Sequence, residues 1–169
     1  MSLKNKVRFA KSPPEVLLVA RAATVLLAIP ALLRLVDIER IVRELTPKTR
    51  SQAGKTLPEE RIAYLCHRTV SFFRRMSYRP NCLRRSLVLY HCLRLHGVPA
   101  VIHFGAKRQD GVLAGHCWLT LNGSLYHERP EMVSQFAHMF SLPAPEPADT
   151  RLISPEGPPS DVRGLSFDR

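Results

Sequence analysis

The chain is short of acid, tryptophan and cysteine: 14 Asp and Glu against 25 Lys and Arg, one Trp and four Cys in 169 residues. Each scarcity closes a route. Four cysteines (Cys66, Cys82, Cys92, Cys117) fall far below the density of a secreted disulfide scaffold, and none forms a C-x-x-C pair, so free thiols in a reducing cytoplasm are expected. A clean apolar span is also missing. The 21 residues from Val16 to Val36 are interrupted by Arg21, Pro30 and Arg34, and an arginine at the centre of a span costs about 2.5–3.5 kcal/mol. No small-residue cleavage site follows an apolar core of suitable length, which argues against export. This segment reads as a buried helix, with a membrane anchor as the less favoured alternative. No zinc finger, bZIP basic region or RNP motif is present, so specific nucleic-acid readout is not expected. No internal repeat is evident.

What is there is a globular composition with lopsided charge. The hydrophobic fraction is 45% and the charged fraction 23%, enough for one domain with tails. Residues 1–108 hold 21 basic and 6 acidic side chains, whereas residues 109–169 hold 4 and 8. The first two thirds therefore suit an anionic partner, whether acidic peptide, nucleic acid or lipid headgroup, unless the excess is simply a solvated arginine-rich surface.

The organisation divides into a helical segment and connecting loop at 1–57, a core at 58–142 and a proline-rich tail at 143–169. Ser12-Pro13-Pro14-Glu15 is a helix start. The helix should run from about Pro14 to Arg34, kink near Pro30 and continue to about Leu45. A polar loop follows over 46–57. Pro58-Glu59-Glu60 opens a second helix, in which Ile62, Leu65, Cys66, Thr69, Val70 and Phe73 recur at helical spacing as a core stripe. A third helix begins at Cys82, turns Leu83, Ser86, Leu89, Tyr90 and Leu93 inward, and is capped by Gly97. Period-two runs at 100–106, 112–121 and 124–128, separated by turn residues, predict an antiparallel meander. Helices followed by strands make the fold α+β. The tail, rich in proline and poor in aromatics, is expected to be loosely laid.

A cysteine is a strong nucleophile only as a thiolate, and a helix N-terminus favours the anion. Pro80-Asn81-Cys82 places Cys82 there, with Arg79, Arg84 and Arg85 nearby. Cys66, Cys92 and Cys117 fall inside elements and read as structural. The base must come from elsewhere in the chain. Among seven histidines, His116 stands out because Gly115 leaves its approach open and Trp118 shares its strand face. The third member depends on the turn. A two-residue loop at Asn122-Gly123 sets Arg129 across from His116 and turns Glu128 to the wrong face. A three-residue loop, Leu121-Asn122-Gly123, sets Glu128 directly across, with Cβ atoms about 4.5–5.5 Å apart. Gly123 at the third loop position suits that turn, and a carboxylate there can serve as third member beside Cys82 and His116.

The blocks Asn81-Cys82-Leu83-Arg84-Arg85-Ser86-Leu87, Leu93-Arg94-Leu95-His96-Gly97-Val98-Pro99-Ala100, Gly115-His116-Cys117-Trp118-Leu119, Asn122-Gly123 and Glu128 together resemble the lasso-peptide leader peptidases, a transglutaminase-like family. The matching region is roughly residues 58–131, and the leucine-rich N-terminal helix fits too. Cys117 stands where that pattern usually has Ala, and its acid is more often Asp. The resemblance implies a papain/transglutaminase-like core and a cysteine peptidase that cuts the leader from a ribosomally made precursor. It also implies a separate leader-recognition protein, an ATP-dependent lasso cyclase as a further partner, and no cofactor or metal.

Three rivals stay open. The same site can transfer an amide to an amine instead of water. Cys92 and His96, with Cys66 and His67 nearby, can be read as metal-binding or redox-sensing residues, although no complete ligand set appears. A silent, basic binding protein held at a membrane through residues 14–36 is the third.

Overall fold

The computed structural model describes residues 10–47, 57–76, 81–109 and 111–143, with the backbone of 166–167. The basic arm with Lys4, Lys6 and Arg8, most of the 46–57 loop, Arg79 and most of the proline-rich tail lie outside the described residues.

Among the described residues, five helices and five strands follow in the order α1 (Pro13–Leu35), α2 (Ile38–Leu45), α3 (Glu59–Arg75), α4 (Cys82–Leu95), β1 (Ala100–Gln109), β2 (Val112–Leu121), β3 (Ser124–Tyr126), α5 (Pro130–Val133), β4 (Ala137–Leu142) and β5 (Ser166–Phe167). The architecture is α+β, with helices preceding a small, mostly antiparallel sheet of order β3-β2-β1-β4. β5 adds two parallel backbone pairs to β2, at Ala114 and Gly115. Those two tail residues are therefore tied to the sheet.

The first helix departs from expectation in two ways. α1 runs through Pro30, and the chain breaks at Val36 and Asp37, both in extended backbone, instead of continuing as one helix to Leu45. Only one side of α1 is buried, through Glu15, Leu18, Ala22, Leu26 and Ile29. Leu17, Leu27 and Leu35 are exposed, so the segment is a half-covered helix and not a buried one. Glu15 receives Arg61 Nε of α3 at 2.8 Å, which joins the start of α1 to α3.

α3 follows its periodicity. Ile62, Leu65, Cys66, Thr69 and Val70 are buried and Phe73 packs partly against them. α4 is more central than a single inward face allows: Leu87, Val88 and Cys92 are buried along with Leu83, Tyr90 and Leu93. It packs against α1, α2, α3, β1 and β2 at once. Thr46 Oγ1 meets Tyr90 Oη at 2.7 Å, and His91 Nδ1 meets the Leu45 carbonyl at 2.7 Å. The end of α2 is thereby fixed to the second half of α4.

The sheet contains the expected meander and one strand that its pattern did not show. β4 pairs with the far edge of β1, and its alternation is blurred by exposed or half-exposed residues at all positions except Phe140. The β2–β3 turn is the two-residue form: Leu121 pairs with Ser124, and Asn122 and Gly123 both take positive φ, 49° and 79°. That is the type I′ pattern, so of the two turns the residues allow the chain forms the two-residue one and not the three-residue one. Asn and Gly at the two central positions suit left-handed backbone without strain, and the right-handed twist of the strands favours this turn.

Candidate active site

Cys82 is the first residue of α4, and Asn81 is its N-cap. Asn81 Oδ1 accepts from Arg84 N–H at 3.1 Å, and the Asn81 carbonyl accepts from Arg85 N–H at 3.2 Å. The N–H groups of Cys82 and Leu83 have no acceptor among the described residues. Two backbone donors thus remain at the mouth of the helix beside the sulfur, as an oxyanion needs.

Cys82 is 9% exposed, and its sulfur lies beside His116 and Cys117 of β2. Both side chains hydrogen-bond it, and so does the Cys117 backbone. Ser86 Oγ, one turn along α4, donates to the Cys117 carbonyl at 3.2 Å. This bond clamps the helix start onto the strand.

The electrostatics follow from these contacts. The Cys82 thiol is lowered to about 5, first by the hydrogen bond from Cys117 and then by His116, against the opposing effect of burial. The sequence reading credited the neighbouring arginines, whereas the closer causes are Cys117 and His116. His116 is raised, chiefly by its hydrogen bond to Cys82, with Glu128 adding to the effect. Burial pushes the Cys117 thiol well up, so it stays protonated and acts as a donor to the Cys82 anion. Cys117 is a buried core residue, as its mid-strand position suggests, and its thiol also belongs to the sulfur's surroundings. A Cys82 thiolate facing a His116 imidazolium is the form these shifts favour.

Glu128 arrives by a route that the turn argument did not foresee. Its Oε2 lies 3.4 Å from His116 Nε2, despite the register that was expected to turn it away. Regular pairing stops at Tyr126, and His127 adopts a left-handed conformation, φ 52°. This reversal swings the next residue back toward the β2 edge. Tyr126 Oη donates to the Glu59 carbonyl at 3.3 Å, anchoring the segment to α3. With Nε2 turned to Glu128, Nδ1 is the ring nitrogen left for Cys82. At 3.4 Å the carboxylate contact is a long one, and Nε2 is buried without a closer partner among the described residues.

Aromatic rings enclose the imidazole. Trp118 stacks at 6.1 Å between centroids, on the shared strand face as expected. Phe136, just before β4, stacks closer, at 5.0 Å. It was missed because it comes from a short turn of no clear period, where sequence spacing carries no signal. Gly105 lies across from His116, and a Cβ there would come within 2.8 Å of the Trp118 ring. A cavity of about 450 Å³ adjoins Glu128; Tyr64, His67, Ser86, Leu89 and Trp118 are among its other walls.

The metal or redox reading finds its residues otherwise engaged. His96 Nδ1 meets the Cys92 carbonyl of its own helix at 2.9 Å, and the Cys66 and Cys92 thiols hydrogen-bond each other inside the core. No group of three or more metal-ligating side chains forms among the described residues.

A thiolate at a helix mouth, an imidazole beside it, the first N–H groups of the helix and a carboxylate behind can carry out nucleophilic acyl chemistry. No curated protein and no solved structure gives a significant match to the chain. The transglutaminase-like superfamily model matches residues 23–141, from within α1 into β4, and the match includes Cys82, His116 and Glu128. This family suggests cysteine-protease or transglutaminase-type activity. By that match over most of its length, the chain belongs to the transglutaminase-like superfamily.

Proposed function

We propose that this chain is a cysteine peptidase that removes the leader from a ribosomally made lasso-peptide precursor, with Cys82 as nucleophile, His116 as acid and base, and Glu128 orienting the imidazole. The observation that carries this reading is the meeting of Cys82 and His116 at the helix mouth, with Glu128 3.4 Å beyond the ring. The lasso assignment rests on the motif resemblance over residues 58–131, and the peptidase assignment on the superfamily and the triad.

In this mechanism the Cys82 thiolate attacks a backbone carbonyl, and the oxyanion forms beside the N–H groups of Cys82 and Leu83. The His116 imidazolium gives its proton to the departing amine, leaving a thioester on Cys82. His116 then takes a proton from water, the hydroxide attacks the thioester, and the new carboxyl group leaves as the thiolate is restored. The cavity beside Glu128 takes a side chain of the peptide. A separate leader-recognition protein delivers the precursor, a cyclase closes the ring on the released core, and the reaction is cytoplasmic.

The test is mass spectrometry of precursor peptide incubated with the protein and the leader-recognition protein, with and without an added primary amine. Cleavage giving a free carboxyl group, lost in Cys82→Ala and Cys82→Ser, is the expected result. An amide of the added amine as the main product would make the protein a transferase, and undiminished cleavage by the Cys82 variants would refute the proposal.

A further inference from the structure

The outward face of α1 is the largest feature that the active site does not use. At 100° per residue, the buried Glu15, Leu18, Ala22, Leu26 and Ile29 share one side of the helix. On the opposite side, Val16, Leu17, Ala20, Thr24, Leu27, Ala31 and Leu35 form a continuous exposed stripe. Val16, Leu17 and Leu27 are 53–57% exposed and Leu35 is 77% exposed. Thr24 adds little polarity, because its hydroxyl donates back to the Ala20 carbonyl at 3.0 Å. The stripe runs the length of a 23-residue helix, about 35 Å at 1.5 Å per residue. Apolar surface on this scale marks an interaction site.

Charge identifies the occupant. The exposed Arg21 and Arg34 fall at opposite margins of the stripe, and the exposed Lys11 precedes the helix. The acid of α1, Glu15, is turned inward to Arg61. An apolar centre with cationic margins is the pattern of a helix lying in the plane of an anionic membrane surface. A second copy of the chain would set these cationic margins against each other. A spanning orientation would pull Leu18, Ala22, Leu26 and Ile29 out of the core they share with α3 and α4.

We infer that the exposed face of α1 is a docking surface for an anionic lipid bilayer, on which the helix lies flat while its inner stripe stays packed in the domain. The basic residues Lys4, Lys6 and Arg8 in the preceding sequence add to the same attraction. The surface is independent of the triad. It places a cytoplasmic reaction at the inner face of a membrane.

The test is co-sedimentation of the full chain with vesicles of phosphatidylglycerol, or of phosphatidylcholine alone, at low and high salt. Binding to phosphatidylglycerol vesicles that weakens with salt is expected, with about tenfold weaker binding for the double variant Leu17→Glu, Leu27→Glu. The Arg21→Glu, Arg34→Glu variant keeps the apolar stripe and should lose the preference for anionic lipid. Circular dichroism of the variants separates loss of docking from loss of fold. A chain that stays in the supernatant with anionic vesicles, or a folded double variant that still pellets fully, overturns the inference. So does a dimer in light scattering that the double variant abolishes, since a second copy would then cover the stripe. Resistance of bound protein to alkaline carbonate would also overturn it, because the helix would then span.

Discussion

Gly105 and Trp118 share one space: an added Cβ at 105 would stand 2.8 Å from the indole ring and 3.0 Å from the Ala137 carbonyl. The ring is 5% exposed and stacks on His116, so it has little room to retreat. Gly105→Ala should cost about 1–3 kcal/mol through overpacking and should lower activity more than Cys82 reactivity. Thermal unfolding, together with cleavage and alkylation rates on the same sample, checks both parts. An alanine variant with unchanged stability and activity would mean that the ring moves freely.

Glu128 touches His116 at 3.4 Å, long for a charge-assisted bond, and Glu128 is the last-placed cause of the raised imidazole. Glu128→Gln keeps the shape and removes the charge. It should lower kcat by about ten- to hundredfold, well short of the loss from removing a nucleophile, with KM changed little. Steady-state kinetics of leader cleavage reads this split. A rise in KM alone would instead make Glu128 a wall of the neighbouring cavity, which it also lines.

Much of this site was legible in the chain because its parts are local. Asn81 before Cys82 reads as a cap, and period two around His116 reads as a strand. The β2–β3 hairpin shows where local reasoning stopped. The residues allow two turns, and only the three-residue form brings Glu128 across by regular pairing. The chain uses the other turn and recovers the contact through a left-handed His127. A positive φ at a histidine has no dependable sequence signal, since the conformation is fixed by the surrounding packing. Phe136 and β4 were invisible for a related reason: their partners are residues 102–106 and 116, and such distant pairings leave no period of their own. The inward face assigned to α4 was too narrow because five elements, and not one, pack around it.

The paired shifts of Cys82 and His116 set a pH window. Cys82 is lowered to about 5, so the thiolate forms as pH rises through about 5. His116 is raised above its ordinary value, so the imidazolium persists through neutrality and is lost as pH rises past that raised value. The same signs govern stability. The lowered thiol contributes above its unfolded value, and that contribution fades as pH falls toward about 5; the raised histidine contributes below its unfolded value and loses that contribution as pH rises through its folded one. A bell-shaped profile of kcat/KM is expected, with its acid limb near pH 5. An acid limb near the ordinary thiol value would show that the two groups do not form an ion pair.

Cys117 supplies the largest of the influences that hold Cys82 as an anion, from a fully buried position whose carbonyl is tied to Ser86. Cys117→Ala removes the donor while changing little volume, so the Cys82 thiol should rise. Cys117→Ser keeps a donor and should restore most of the effect. The groups that face the sulfur are His116 and Cys117 of β2, with Glu128 behind the imidazole and Arg85 acting on Cys117. Iodoacetamide alkylation of Cys82, followed by peptide mass spectrometry across pH, reads the sulfur without any precursor peptide. At a pH just above 5 the alanine variant should react about tenfold more slowly, which corresponds to a rise of one pH unit in the midpoint, and the serine variant should lie near the parent. An alanine variant that unfolds at the parent temperature and alkylates with the parent profile would leave His116 as the principal support of the thiolate.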